Sequence, residues 1–281
     1  MILAPRRRAA ARVVALDRAL ELLPIFRLSD SAEDGAITYT TESGGRWRVL
    51  PSPGARLPGT FDQDVFVQLL HRYQEMGSPE DGTVTFTLHA FLRAMGRRVD
   101  GRTYEQLRAA LVRLERTTLE SHGAYRGPDG AAGDLHFSLL GSVVIDRRRL
   151  ADREQLPLFP EMVSGEPGDA RATLSPVVRQ SLAADAAGGD PHAISLPTYL
   201  TLGSPVARRL YRLLAAVLAP DDERWTVPLD RLAEQLPLTQ RYPSHLQRVL
   251  APAHQQLLDA SIVSAADVRQ EGRRWVVEYS R

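Results

Sequence analysis

Apolar positions along this 281-residue chain follow two spacings. Where they recur every three or four residues they predict helices, and where they alternate they predict strands. Helical spacing marks residues 9–23, ended by Pro24, and then 62–76, 88–95, 103–116, 205–218, 229–236 and 244–259. In 103–116, Tyr104, Leu107, Leu111 and Leu114 fall on one side. Alternation or β-branched runs mark strands at 36–41, 46–50, 83–87, 118–124, 135–145, 224–227, 262–268 and 273–279. Ser43-Gly44-Gly45 reads as a turn between the first two strands. Breaker-rich stretches at 51–59, 151–168 and 183–191 interrupt the pattern, the last with Gly188-Gly189. Asp62 and Asp64 open the helix at 62–76, where carboxylates cap and complement the first turn, so both are read as structural.

One order occurs twice: helix, strand, short helix, longer helix, strand, strand. Thr83 aligns with Arg224, Leu107 with Leu246 and Leu111 with Leu250. That order is a winged helix-turn-helix. The expected fold is therefore α+β and helix-rich, with two tandem winged helix-turn-helix domains. Residues 1–27 would form a basic tail and short helix, and 28–150 the first winged-helix domain with a preceding β-hairpin. A linker region would follow at 151–190, and the second winged-helix domain at 191–281.

Composition narrows the chemistry. The Lys+Arg total is 35, and every one of these residues is arginine; Lys, Asn and Cys do not occur. Lysine-dependent nucleotide sites and Schiff-base catalysis are thereby excluded, as are thiol nucleophiles, disulfides and thiolate zinc sites. The histidines at 71, 89, 122, 136, 192, 245 and 254 show no H-x-H or H-x3-H spacing, so neither a metal nor a cofactor is expected. No apolar run approaches a membrane span, which makes a cytoplasmic protein, nucleoid- or plasmid-associated, the expectation. The net charge of +1 conceals alternating blocks: +4 over 1–27, −5 over 28–90, +4 over 91–153, −4 over 154–203 and +2 over 204–281. Two basic blocks separated by acidic ones suit two modules on one polyanion better than a uniform coat.

In a helix-turn-helix the second helix enters the major groove, and its outward face carries the candidate contacts. For the first unit these are Arg102, Gln106, Arg113 and Arg116, around the small Ala109, with Arg97 and Arg98 in the preceding turn. For the second they are Ser244, Arg248 and Gln255, flanked by Arg241 and His245. Arg126, Arg269, Arg273 and Arg274 at the predicted wing tips are expected phosphate contacts, which position without specifying. His245, Arg248 and Tyr279 superficially suggest a tyrosine recombinase. The chain has no lysine for that chemistry, and Tyr279 falls on a predicted strand.

Three segments carry a family resemblance. They are Gly59-Thr60-Phe61-Asp62-Gln63-Asp64-Val65 with Val84-Thr85-Phe86-Thr87, then Gly101 to Leu114, then Ser204 to Leu214. In this order they resemble the replication initiator protein A family of bacterial plasmids, over roughly residues 20–220. The resemblance implies a non-enzymatic initiator that binds direct repeats (iterons) in double-stranded DNA at the origin of a plasmid or secondary replicon. It further implies recruitment of a replicative helicase or its loader, self-repression, and a homodimer in equilibrium with monomer. The alternatives are a winged-helix transcriptional repressor and a winged-helix protein-interaction scaffold.

Overall fold

The computed structural model describes residues 12–29, 35–127, 130–145, 170–187, 192–218 and 222–281. The chain begins with β1 (Val13–Ala15), α1 (Arg18–Glu21), β2 (Ile37–Thr40), β3 (Arg46–Leu50) and α2 (Thr60–Glu75). It continues through β4 (Thr83–Phe86), α3 (Leu88–Ala94), α4 (Gly101–Arg116), β5 (Thr118–Arg126), β6 (Ala132–Phe137) and β7 (Leu140–Ile145). Next come β8 (Ala170–Leu174), α5 (Pro176–Ala187), β9 (Ala193–Ser195), α6 (Leu196–Thr201) and α7 (Pro205–Val217). It closes with β10 (Arg224–Pro228), α8 (Leu229–Gln235), α9 (Pro243–Asp259), β11 (Ala265–Glu271) and β12 (Arg274–Ser280).

The sequence repeat is a structural repeat. Behind α2, the strands order as β4-β8-β7; behind α7, they order as β10-β12-β11, all antiparallel. In each unit the last strand takes the centre, and the two helices before the wing form the helix-turn-helix. Helix α4 buries Leu107, Ala110, Leu111 and Leu114. Helix α9 buries Leu246, Leu250, Ala253, His254 and Leu257, so Leu246 and Leu250 repeat the spacing of Leu107 and Leu111. His254 Nε2 is 2.9 Å from the buried Tyr279 hydroxyl, and burial pushes the His254 pKa down to about 4.

Local chemistry fixes the first helix-turn-helix. Thr87 Oγ1 accepts the Ala90 N–H at 3.1 Å and starts α3. Gly96, at φ +67°, ends it, with Gly96 N–H bonded to the Arg93 carbonyl and Arg97 N–H to that of Leu92. These paired bonds satisfy carbonyls that the helix end leaves free. Asp100 and Thr103 exchange bonds at 2.9 and 3.1 Å and start α4.

Four expectations are corrected. Within the predicted helix at 9–23, the described residues, from 12 on, form β1 followed by the short α1, because Val13, Val14 and Ala15 pair with β9. The Gln74 side chain engages β1 as well, accepting from and donating to the Ala15 backbone at 2.9 Å. The predicted strand at 135–145 is two strands in two sheets. β6 joins a four-stranded sheet, β2-β3-β5-β6, while β7 joins the wing sheet. Consequently the 125–133 tip is not the first wing; Tyr125 is buried there and donates to Asp17 at 2.9 Å. Finally, residues 170–187 lie in a stretch that composition placed in a linker, yet they form β8 and α5, with β8 the central strand of the first wing sheet. The expected N-terminal arginine tail (Arg6-Arg7-Arg8) and the break at 151–168 lie outside the described residues.

A continuous buried cluster links both units. Charge crosses it too. Glu21 of α1, fully buried, accepts from Arg209 at 3.1 Å and Arg212 at 2.5 Å, both fully buried on α7. Burial pushes Arg209 down to about 10, still cationic at neutral pH, while Glu21 works to raise it. No helix among the described residues is long and apolar enough to cross a membrane.

Candidate nucleic-acid interface

The amphipathic pattern that buries four residues of α4 leaves Arg102, Glu105, Gln106, Ala109 and Arg116 exposed on the opposite face. Arg102 and Arg116 have no ion-pair partner among the described residues. On α9 the exposed face carries Ser244, His245, Arg248, Ala251 and Gln255, preceded by exposed Arg241. Arg241 and Arg248 are also unpaired. Gln255 donates to Asp259 at 2.8 Å, one turn on. In the second wing, Arg273 and Arg274 lie exposed at the turn between β11 and β12, without carboxylate partners among the described residues. These are the groups free to meet phosphate or base edges.

Two other candidate arginines, Arg113 and Arg97, are committed to buried aspartates. Arg113 packs against α2, where its Nε and Nη2 reach Asp62 Oδ1 at 3.1 and 2.9 Å. The Asp62 side chain is 3% exposed and that of Arg113 is 28%. Burial raises the pKa of Asp62, and the Arg113 charge opposes that rise. Arg113 is thus a clasp between α2 and α4, and it leaves the groove-facing set. Asp62 also accepts the Gly59 N–H at 2.7 Å, so the expected capping role is present alongside the clasp.

Arg97 donates to Asp64 at 2.7 Å, and its guanidinium lies 5.5 Å from the centre of the Phe61 ring. Asp64 also receives Arg208 of α7 and the Tyr199 hydroxyl, the latter at 2.9 Å. One buried carboxylate thus ties the helix-turn-helix of the first unit to the first helix of the second. Arg98 is 89% exposed and lies 3.6 Å from Asp100. Arg269 is held by Glu271 and Glu278, each at 2.9 Å, within the second wing. Arg126 sits at the end of β5, in the four-stranded sheet and away from the β7–β8 wing, because the chain leaves that sheet after β6.

Tyr242, immediately before α9, belongs to no sequence-derived candidate set. It is 70% exposed, with its ring edge-on to His245 at 5.7 Å. The signal was legible: an aromatic between Arg241 and Pro243 at a predicted helix start. Tyr279 is fully buried against His254 and Trp225, so its hydroxyl is out of reach of a phosphodiester.

Comparison with known proteins places this geometry. Domains 2 and 3 of RctB match with a TM-score of 0.60 and 13% identity, over 95% of this chain and 99% of that one. A second structure of RctB domains 2–3 matches with a TM-score of 0.54 and 11% identity, over 94% and 96%. The Pi initiator protein in complex with iteron DNA gives 0.48 and 14%, over 78% and 93%. At such identities the RctB likeness speaks to the fold, and it spans both units. No curated protein matches the chain by sequence. Residues 16–156, in contrast, match the family model of replication initiator protein A, a segment that holds the first helix-turn-helix and both clasp aspartates. With half of its length matched in this way, the chain belongs to the replication initiator protein A family.

Proposed function

We propose that the protein initiates replication of a plasmid or secondary replicon by binding direct repeats in double-stranded DNA at its origin, one winged helix per half-repeat. The observation that carries this reading is the pair of exposed second helices, α4 and α9, with arginines that no carboxylate among the described residues neutralises: Arg102 and Arg116 on the first, Arg248 on the second. Leaving cations unpaired on a folded surface that pairs so many others suits a polyanionic partner, whose counterions they displace. Arg102 and Gln106 would read bases from α4, and Ser244 and Arg248 from α9. Arg98, Arg116, Arg241, Arg273 and Arg274 would hold phosphates. His245 lines the same entrance, and Gln255 reaches bases only by releasing Asp259.

The role is one of binding and not strand cleavage, and the burial of Tyr279 supports that reading. The protein would act in the cytoplasm, recruit a replicative helicase or its loader, and exchange between homodimer and monomer.

A gel-shift titration against the DNA flanking its own gene tests the proposal. Repeat-specific binding should weaken steeply with salt, and Arg102→Ala or Arg248→Ala should each lose about 1–3 kcal/mol. Binding to the repeats no tighter than to random duplex overturns it.

A further inference from the structure

Tyr242 is fixed at its backbone and free at its ring. Its carbonyl accepts the His245 and Leu246 N–H groups, each at 3.0 Å. Pro243 follows at the first position of α9, where its fixed φ suits the helix. The ring stands edge-on to His245, with centroids 5.7 Å apart and planes at 77°. Its 70% exposure exceeds that of every other exposed large hydrophobic residue described. Those others, Val13, Met76 and Val144, lie outside the second unit. Its exposed neighbours in sequence are Arg241, Pro243, Ser244, His245 and Arg248.

A protein interface core would place further apolar side chains around such a ring and keep charges away from it. Here, apart from Pro243, the exposed neighbours along the chain are cationic and polar. The matching ligand is anionic overall and offers a small isolated apolar group at the mouth of a groove. Thymine in duplex DNA meets that description: its 5-methyl projects into the major groove between phosphate rows. Residues at the N-terminal end of a recognition helix are the ones that reach base edges. The arrangement differs between the two units, since α4 begins with the acidic cap Asp100 and Gly101.

We propose that Tyr242 is a specificity-determining residue of the second unit, reading one thymine of the repeat through van der Waals contact between its ring and the 5-methyl group. This rests on the DNA-binding reading above.

The test uses the full chain and the origin-flanking duplex it binds, with each thymine replaced singly by deoxyuridine. Wild type should weaken about four-fold at one position per repeat, in the half bound by the second unit, the worth of one buried methyl. Tyr242→Ala should bind the unmodified duplex about 5- to 30-fold more weakly and be indifferent to deoxyuridine at that position. Tyr242→Phe should behave as wild type. The proposal is overturned if Tyr242→Ala binds as wild type or keeps the full deoxyuridine effect. It is equally overturned if Tyr242→Phe loses as much as Tyr242→Ala, which would mean a hydroxyl–phosphate contact. Unchanged thermal unfolding of the variants, expected for so exposed a side chain, separates loss of contact from loss of fold. A wild-type protein with no repeat-specific shift overturns the DNA-binding reading, and this proposal with it.

Discussion

Arg113→Ala leaves the Asp62 carboxylate buried with its cation gone and the Gly59 N–H as its remaining named donor. Removing one member of a buried pair costs about 3–5 kcal/mol. The Arg113 side chain is 28% exposed, so water takes up part of that loss and about 2–3 kcal/mol is the expected destabilisation. For a chain of this size that lowers Tm by roughly 4–10 °C. Asp62 already has a raised pKa through burial, and losing Arg113 raises it further. A carboxyl whose folded pKa is raised contributes stability below its unfolded pKa and loses it as pH rises through the folded one. The variant should therefore fall furthest behind wild type near neutral pH and approach it in acid. Urea unfolding followed by tryptophan fluorescence at two pH values measures both effects, and Asp62→Asn in the same chain should recover most of the loss. DNA affinity, measured well below Tm, should change less than two-fold. If Arg113→Ala is as stable as wild type but binds the repeat ten-fold more weakly, the clasp is wrong and Arg113 reads DNA.

Glu21→Gln removes the carboxylate shared by Arg209 and Arg212, and should cost at least about 3–5 kcal/mol in urea unfolding; a loss under 1 kcal/mol would mean these arginines are held mainly by carbonyls. His254 has its pKa lowered to about 4, so it contributes stability above its unfolded pKa near 6.5 that is lost as pH falls through 4. Replacing His254 by Leu together with Tyr279→Phe should remove about 2–3 kcal/mol of acid sensitivity from the unfolding profile. Asp17, raised to about 6 by burial, has the opposite sign: its contribution is full below the unfolded carboxylate pKa and is lost as pH rises through 6. Asp17→Asn should flatten that decline, and an unchanged profile between pH 4 and 6 would contradict the burial of the carboxyl.

Much of the fold could be read from periodicity. Helices of strong amphipathic pattern, α4 and α7 among them, lie where their leucines predict, and the repeat order holds once β5 and β6, which belong to another sheet, are set aside. What failed was non-local. Val13 and Val14 form a strand because β9, nearly two hundred residues away, supplies their partner, and no local window contains that. Residues 135–145 alternate throughout, but a change of sheet between β6 and β7 leaves no mark on alternation. At the interface, outward faces were legible and pairing was not. Arg102 and Arg113 look alike on a helical wheel, and only Asp62 of α2 separates the free cation from the clasped one.

The central position of β8 has a consequence for how the chain comes off the ribosome. Strand β8 separates β4 from β7, and β9 covers β1. Until residues 170–174 and 193–195 have emerged, the first unit lacks the middle of its wing sheet and a partner for its first strand. Folding unit by unit during synthesis, the usual route for multidomain chains, is therefore delayed here until the second unit is under way. A nascent chain of 150 residues would expose unpaired strand edges and should engage chaperones or proteases, while one of about 200 residues should already resist them.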